Sequence, residues 1–449
     1  MDTIVALSTP MGVSGIGVIR LSGPDCLRLL QEIFHKKEIK PRYAYLGKYR
    51  LFENEPILDE GLFTCFKEKA SYTGEAMLEI SCHGNPLILQ HILKDCLKRG
   101  CRQAEPGEFT RRAFINGTLD LCQAEAVEDL IHARSLKAIQ LAQKQLSGSL
   151  SEQIEQFVTS LTEQIAYVEA FLDFPEEDLP EENRKVFSET LCTMRHQIER
   201  LIHAHQHYAP LHEGIRTVIA GVPNAGKSTL LNLLLGQERA LVSEIPGTTR
   251  DFISEYCTIA PYTLKLVDTA GLHETQDPIE TLGIEKSYEQ IQKSDVVLWV
   301  IDGSKEPTQE IQRLKKRLAS ENTLVLFNKN DLGFFEAYKE YFQEYTTCFI
   351  SLKETDALIH LKQVLLGFLD NKYHNFSEES FMIRERHAEA FSLAKNHLDK
   401  ALILLDKKCC DDCLAAELKE GLKALEQVVG RVDYERVLDQ IFSKFCIGK

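Results

Sequence analysis

No stretch of the 449-residue sequence reaches the roughly eighteen consecutive apolar residues that a membrane-spanning helix needs, so no membrane partner is expected. The opening, MDTIVALSTPMG, lacks the basic segment and apolar core of a secretory leader. Without an export signal, the 13 cysteines are expected to be reduced thiols of a cytoplasmic protein. Cys409, Cys410 and Cys413 lack a second spaced ligand pair, so no metal centre is expected there. Positive charge is in deficit: 52 Lys and Arg stand against 67 Asp and Glu, a formal charge of −15. That balance excludes loose electrostatic binding of nucleic acid, and any RNA partner would need a local basic patch. Lys94, Lys98, Arg99, Arg102, Arg111 and Arg112 form one candidate, for which a solvated helix face is the plainer reading.

A chain of this length is too long for one compact core, and two to four domains are expected. Residues 1–118 mix strand-like runs (Ile4–Leu7, Ile16–Leu21, Met77–Ser81) with a helical run near Leu87–Leu97, as in a small α+β domain. Gly12-Val-Ser-Gly15-Ile-Gly17 looks like a dinucleotide loop, but it precedes a strand instead of opening a helix. Residues 119–212 are helical: Leu150, Ile154, Phe157, Leu161, Ile165, Val168 and Leu172 recur at steps of three or four, which predicts one long amphipathic helix. The prolines of Phe174-Pro-Glu-Glu-Asp-Leu-Pro180 stop it, and a second helical run covers about 182–205.

Across 213–372, short apolar strands (Thr217–Ala220, Leu264–Val267, Val296–Ile301, Leu324–Phe327, Cys348–Ile350) alternate with helices, the pattern of a parallel sheet wrapped by helices. Residues 373–449 turn helical again, with apolar spacing through Phe391, Leu393, Leu398, Leu402 and Leu405. Helical segments on both sides predict that the α/β unit is inserted into one discontinuous all-α domain. The fold class expected is therefore multidomain, α+β and α/β together.

The strand Thr217–Ala220 runs into Gly221-Val-Pro-Asn224-Ala225-Gly226-Lys227-Ser228, and a helix begins at Thr229. This is the phosphate-loop pattern in its strand–loop–helix context. Its glycines let backbone N–H groups turn toward phosphates, and the helix N-terminus adds its positive end. Lys227 would reach the β- and γ-phosphates, while the Ser228 hydroxyl would ligate Mg²⁺. After Leu264–Val267 come Asp268, Thr269, Ala270 and Gly271, an acid for the Mg²⁺ shell and a glycine for close approach to the γ-phosphate.

Base identity is read from Asn328-Lys329-Asn-Asp331 after another strand. The Asp331 carboxylate matches the two donors on the guanine edge, and adenine offers no such pair, so the nucleotide expected is GTP. Between these motifs lies Ser243-Glu244-Ile245-Pro246-Gly247-Thr248-Thr249-Arg250-Asp251, in which Thr249, with Thr248 in reserve, would complete the Mg²⁺ shell only beside a γ-phosphate. Ser351, Leu352 and Lys353 take the place where such proteins carry Ser-Ala-Lys. The residue after Gly271 is Leu272, where Ras-like proteins have a water-orienting glutamine, and no arginine is obviously placed as a finger, Arg250 being the one candidate. Water positioning and charge neutralisation must come from elsewhere.

Beyond the GTPase set, the chain carries Asp2-Thr-Ile-Val-Ala, Gly15-Ile-Gly-Val-Ile-Arg20, Gly74-Glu75, His83-Gly84, Pro106-Gly-Glu-Phe109, Arg112-Ala-Phe-Ile-Asn116 and a final Cys446-Ile-Gly-Lys449. Along essentially its whole length it thereby resembles the MnmE (TrmE) tRNA modification GTPases of the TrmE-Era-EngA-YihA-Septin-like superfamily.

The resemblance implies an N-terminal domain that dimerises and binds 5-formyltetrahydrofolate or a related folate through Arg20, Glu79 and Lys449. The family carries a lysine where this chain has Thr118. It implies a homodimer joined with an FAD-dependent MnmG (GidA) partner in a heterotetramer that modifies the wobble uridine of certain tRNAs. It also implies potassium activation as G domains pair, with K⁺ held by Asn224, Ser243, Ile245 and Thr248. Glu280 matches a water-orienting carboxylate, so the catalytic set implied is Glu280, Lys227 and Thr249. Cys446 beside the tail is most simply an ordinary thiol.

The alternative function is a ribosome-assembly or RNA-binding switch GTPase without modification activity. Such proteins usually add a basic RNA-binding module, which this acidic chain does not offer. A purely structural scaffold would leave an intact phosphate loop and base-reading motif unexplained.

Overall fold

The computed structural model describes residues 2–36, 38–51, 57–172, 181–238, 255–267, 290–373, 381–407, 411–431, 435–443 and 445–448. Ser243–Asp251, Asp268–Leu272, Phe174–Pro180, Glu280, Cys409, Cys410 and Lys449 lie outside the described residues. The chain divides into two compact units. One comprises Met1–Glu128, Gln145–Leu191 and Leu393–Lys449, and the other Asp129–Lys144 and Cys192–Ser392.

In the first unit the described strands are β1 (Ile4–Leu7), β2 (Ser14–Ser22), β3 (Tyr45–Arg50), β4 (Ile57–Phe66), β5 (Met77–Gly84) and β6 (Arg102–Gln103). They form one sheet in the order β3-β4-β5-β2-β1-β6. All pairs are antiparallel except β1 with β6. The strands β3 and β4 escape the sequence reading because polar and glycine residues break their alternation.

The helices Cys26–Phe34 and Pro86–Lys98 cover one face. Leu29, Leu30 and Ile33 of the first and Leu89, Ile92 and Cys96 of the second meet Ile19, Leu21, Phe63, Leu78 and Ile80 of the sheet. Asn85 caps the second helix by accepting from Leu87 N–H, and Pro86 opens it where no N–H partner is needed.

The expected amphipathic stripe is real. Leu150, Ile154, Phe157, Leu161, Ile165 and Val168 of the helix Ser149–Leu172 are all buried, and that helix packs on Asp411–Val429. In Glu385–Asp406 the buried stripe is Phe391, Ala394, Leu398, Ala401 and Leu405, and Leu393 is exposed. A choice by size alone passed over the two alanines that the helical period selects.

The basic patch is a solvated face only in part: Lys94, Lys98 and Arg102 stand exposed, Arg111 is half-buried, and Arg99 and Arg112 are buried. Arg99 pairs with the buried Asp95 at 2.8 Å. Arg102 pairs with Asp2 and Glu108, Arg111 with Asp439, and Arg112 with Asp2, Glu75 and Glu108. Several of those carboxylates lie far away in sequence, so local spacing could not reveal them.

The second unit is built on β7 (Ile215–Ala220), β8 (Glu255–Ile259), β9 (Tyr262–Leu266), β10 (Val296–Asp302), β11 (Thr323–Asn328) and β12 (Thr346–Phe349). Their order is β12-β11-β10-β7-β9-β8, parallel throughout except the edge pair β8–β9. The all-parallel expectation fails at that edge, where two turn residues join a hairpin and no crossover helix fits.

The helices Lys227–Glu238 and Ala357–Lys372 bury Leu230, Leu234, Leu361, Leu365 and Leu369 on one face of this sheet. Ile311 of Gln309–Lys315 and Tyr338 of Ala337–Tyr341 meet Trp299 and Phe327 on the other. Layers on both faces explain why every residue of β10 is buried. Near the two ends of this α/β segment, the buried Asp129 accepts from Tyr208 Oη at 2.7 Å and from Arg384 Nη2 at 2.5 Å, with His212 Nε2 at 3.5 Å. Burial holds the His212 imidazole below its ordinary pKa.

Candidate functional site

Three loops converge at the carboxyl ends of β7, β11 and β12, the edge where ligands bind in open α/β sheets. The first follows β7. Gly221 lies against the Val300 carbonyl of the neighbouring strand, and a side chain there would overlap that backbone. Asn224 has φ 61° and Gly226 φ 113°, backbone that turns successive N–H groups toward one concavity. A Cβ on Gly226 would strike the Asn328 amide, so both φ and space select glycine.

Lys227 opens the following helix and donates from Nζ to the Val222 carbonyl at 3.0 Å, so the ammonium lies across its own loop. Burial holds its pKa below the ordinary lysine range. Ser228 and Thr229 are exposed in the first helical turn, where dipole and backbone donors favour an anion.

Asn328 joins the three loops. Its Nδ2 donates to the Ala225 carbonyl at 2.8 Å, and its Oδ1 accepts from Leu352 N–H at 3.1 Å. Those two bonds hold the phosphate loop and the Ser351-Leu352-Lys353 turn to the end of β11. Ser351 and Leu352 are buried, while Lys353 is exposed. Lys329, at φ 64°, reaches back to the Asn224 carbonyl at 3.0 Å. Asp331 stands exposed in the short turn Asn330–Leu332, which follows β11 directly.

Sequence reading missed Asp302, the last residue of β10, which pairs with Lys329 Nζ at 2.7 Å. Its signal was an apolar run ending in an acid and a glycine, Asp302-Gly303, level with Asn328 in the next strand.

A separate cluster lies on the first unit's sheet. Arg20 of β2 and Glu79 of β5 are register partners, with Arg20 Nε donating to Glu79 Oε1 at 2.9 Å. The guanidinium lies 5.6 Å from the Tyr72 ring centre and 5.8 Å from that of Phe109, two aromatic walls no sequence spacing announced. The Thr118 hydroxyl lies 3.0 Å from the Tyr72 carbonyl and 2.8 Å from that of Ala113, which keeps it beside the same wall.

The C-terminal segment is laid alongside this sheet. Gly107 N–H donates to the Cys446 carbonyl at 3.4 Å, Ile447 bridges Pro106, and Ser8 Oγ donates to the Gly448 carbonyl at 3.2 Å. Cys446 is exposed.

Sheet order, phosphate loop, base-reading loop and the asparagine that ties them together define a GTP-binding protein of the P-loop class. Residues 3–118 match the family described as the GTP-binding protein TrmE N-terminus, and residues 121–446 match the MnmE helical domain. A tRNA modification GTPase MnmE of Opitutus terrae is 44% identical over all of this chain and 99% of its own length. Those of Aquifex aeolicus and Chlorobium chlorochromatii are 40% and 38% identical, again over the whole chain and at least 98% of the relative. The chain belongs to the MnmE family of tRNA modification GTPases. Among the described residues, no helix is long and apolar enough to cross a membrane.

Proposed function

We propose that this chain is a potassium-activated GTPase that hydrolyses GTP to GDP and phosphate while taking part in tRNA modification. With an FAD-dependent partner of the MnmG (GidA) kind, it would help add an aminomethyl-type (carboxymethylaminomethyl) group at C5 of the wobble uridine of certain tRNAs. The observation that carries this reading is the junction on Asn328, which joins a phosphate loop to a guanine-reading turn in a chain related to MnmE over its full length.

The donor set fits GTP. Lys227, the loop N–H groups and the helix N-terminus supply positive potential for the phosphates, and Asp331 supplies two acceptor oxygens for the guanine edge. The Ser228 hydroxyl, exposed at the helix start, suits a hard cation, with Thr249 as second ligand and Asp268 acting through water. Asn224 is exposed on the phosphate loop and is assigned, with Ser243, Ile245 and Thr248, to hold K⁺. Potassium, when bound, supplies positive charge at the β–γ bridge. Glu280 is assigned to orient the attacking water. Lys227 holds the γ-phosphate against it.

The first unit's cluster fits a folate. Glu79 offers a carboxylate to a pterin's donor edge, Tyr72 and Phe109 offer ring faces, and Arg20 holds that carboxylate in place. Thr118 stands where the family has lysine, and Lys449 closes the set. The occupant proposed is 5-formyltetrahydrofolate or a close relative, bound in a homodimer.

The test is GTP hydrolysis by the purified protein in KCl and in NaCl. A strong preference for K⁺ supports the mechanism, and equal rates would remove it. Asp331→Asn should move selectivity from guanine toward xanthine nucleotides, whereas an unchanged preference would overturn the base assignment. Mass analysis of tRNA nucleosides from cells lacking the protein tests the modification role, which a normal wobble uridine would sink.

A further inference from the structure

Asp302 is a buried carboxylate that neither the phosphate loop nor the base-reading motif includes. Its Oδ2 takes the Lys329 ammonium at 2.7 Å, and its Oδ1 accepts from Ser304 Oγ at 2.7 Å and from Ser304 N–H at 3.3 Å. Lys305 lies 3.7 Å from Oδ2 and is largely exposed. The carboxylate is therefore oriented from one side and spends its other oxygen on Lys329. Burial opposes its charge, but the Lys329 and Ser304 hydrogen bonds outweigh that and hold its pKa below the ordinary aspartate value.

Lys329 occupies a mechanical junction. Its carbonyl accepts from Leu332 N–H at 3.0 Å, which closes the turn carrying Asp331. Its ammonium donates to the Asn224 carbonyl at 3.0 Å. Asn224 is a non-glycine residue at φ 61°, a conformation that persists only where surrounding bonds over-determine it. Lys329 also sits at positive φ, 64°, so one ammonium links two backbone segments that each need external support.

We propose that Asp302 is a positioning residue that couples base recognition to the phosphate loop by holding the Lys329 ammonium on the Asn224 carbonyl. Without its charge, Lys329 loses its second anchor and gains freedom to leave the Asn224 carbonyl for solvent. The Asn224 backbone then relaxes, and the loop grips phosphate less tightly. The inference rests on the nucleotide site described above and adds to it a residue outside the motifs.

The experiment measures dissociation of a fluorescent GDP, with Mg²⁺ present, from the full-length protein and from Asp302→Asn, Lys329→Ala and the double variant. Loss of a charge-assisted bond worth about 1.5 kcal/mol should raise the dissociation rate about tenfold in Asp302→Asn. The double variant should dissociate no faster than Lys329→Ala alone, because Asp302 acts only through that lysine. A merely structural role for Asp302 would instead add its effect to that of Lys329→Ala. Should Asp302→Asn fail to fold by circular dichroism, Ser304→Ala leaves the charge but removes its orienting hydroxyl, and a rise of about threefold is expected. An unchanged rate in the folded variant, or additive effects in the double variant, overturns the coupling while leaving GTP binding intact. Failure of the unaltered protein to bind the fluorescent GDP would overturn both.

Discussion

The two clusters of this molecule solve opposite problems with opposite materials. At the carboxyl edge of β7 the working groups are backbone donors, a helix N-terminus and lysines that reach back onto loop carbonyls. On the first unit's sheet they are side chains already paired with each other, as Arg20 is with Glu79 across register partners. The first arrangement leaves positive potential for a polyanion. The second leaves a fixed carboxylate edge flanked by rings, which suits a flat, neutral, donor-rich heterocycle. Charge alone would not tell them apart, since both contain Lys or Arg beside an acid. What differs is that Lys227 meets a backbone carbonyl, that of Val222, where Arg20 meets the Glu79 carboxylate.

The sharpest way to break this contrast is Lys227→Ala. Loss of the one ammonium inside the phosphate loop should lower GTP hydrolysis by about 10²–10³-fold, read as phosphate release. A loss of only a few-fold would mean that the backbone donors carry the site. Next is Arg112→Met, which takes the guanidinium from Glu75 and leaves Asp2 and Glu108 to Arg102 alone. Removing one member of a buried charge cluster costs about 3–5 kcal/mol, to be measured as a shift in urea unfolding of the full chain. A shift below about 1 kcal/mol would show that solvent screens the cluster as it does surface pairs.

Arg20→Ala sharpens the other half of the comparison. Freed from its partner, Glu79 should bind 5-formyltetrahydrofolate about tenfold more weakly by calorimetry, with guanine nucleotide affinity within about twofold. Equal weakening of both ligands would mean that the two clusters are not independent.

The smallest effect is acid sensitivity. Arg102 holds the half-exposed Asp2 carboxyl down to about 2, against a partial desolvation penalty. For Glu108, burial pushes upward, but Arg102, the Glu105 N–H and Arg112 bring it below its usual value. Both groups bind protons more tightly unfolded than folded. Their stabilisation is complete above the unfolded carboxylate range, near 4, and is lost as pH falls toward about 2. An acid-unfolding curve with Asp2→Asn should therefore be flatter across that window than the unaltered protein's, and superimposable curves would remove the assignment.

Legibility followed the distance over which each feature is determined. The phosphate loop is an eight-residue problem: positive φ at Gly226 and close approach at Gly221 impose residue types at set intervals, and the pattern is readable without a structure. The long helix Ser149–Leu172 was likewise readable, because its stripe repeats every turn. Asp302 was not, since its partner Lys329 lies one strand and a crossover away. Tyr72 and Phe109 face Arg20 only after the sheet has aligned three separate segments.

By itself, the sequence determined the class of nucleotide, the loop that holds it and the layering of sheet and helices, because each is encoded by local backbone demands or a repeating apolar period. Only the tertiary structure decided which charges remain available. Arg99, Arg102, Arg111 and Arg112 read as a basic patch in sequence, yet each meets a carboxylate in the fold. Pairing of that kind depends on sheet register and helix docking, which bring Asp2, Glu75 and Asp439 beside residues far from them along the chain.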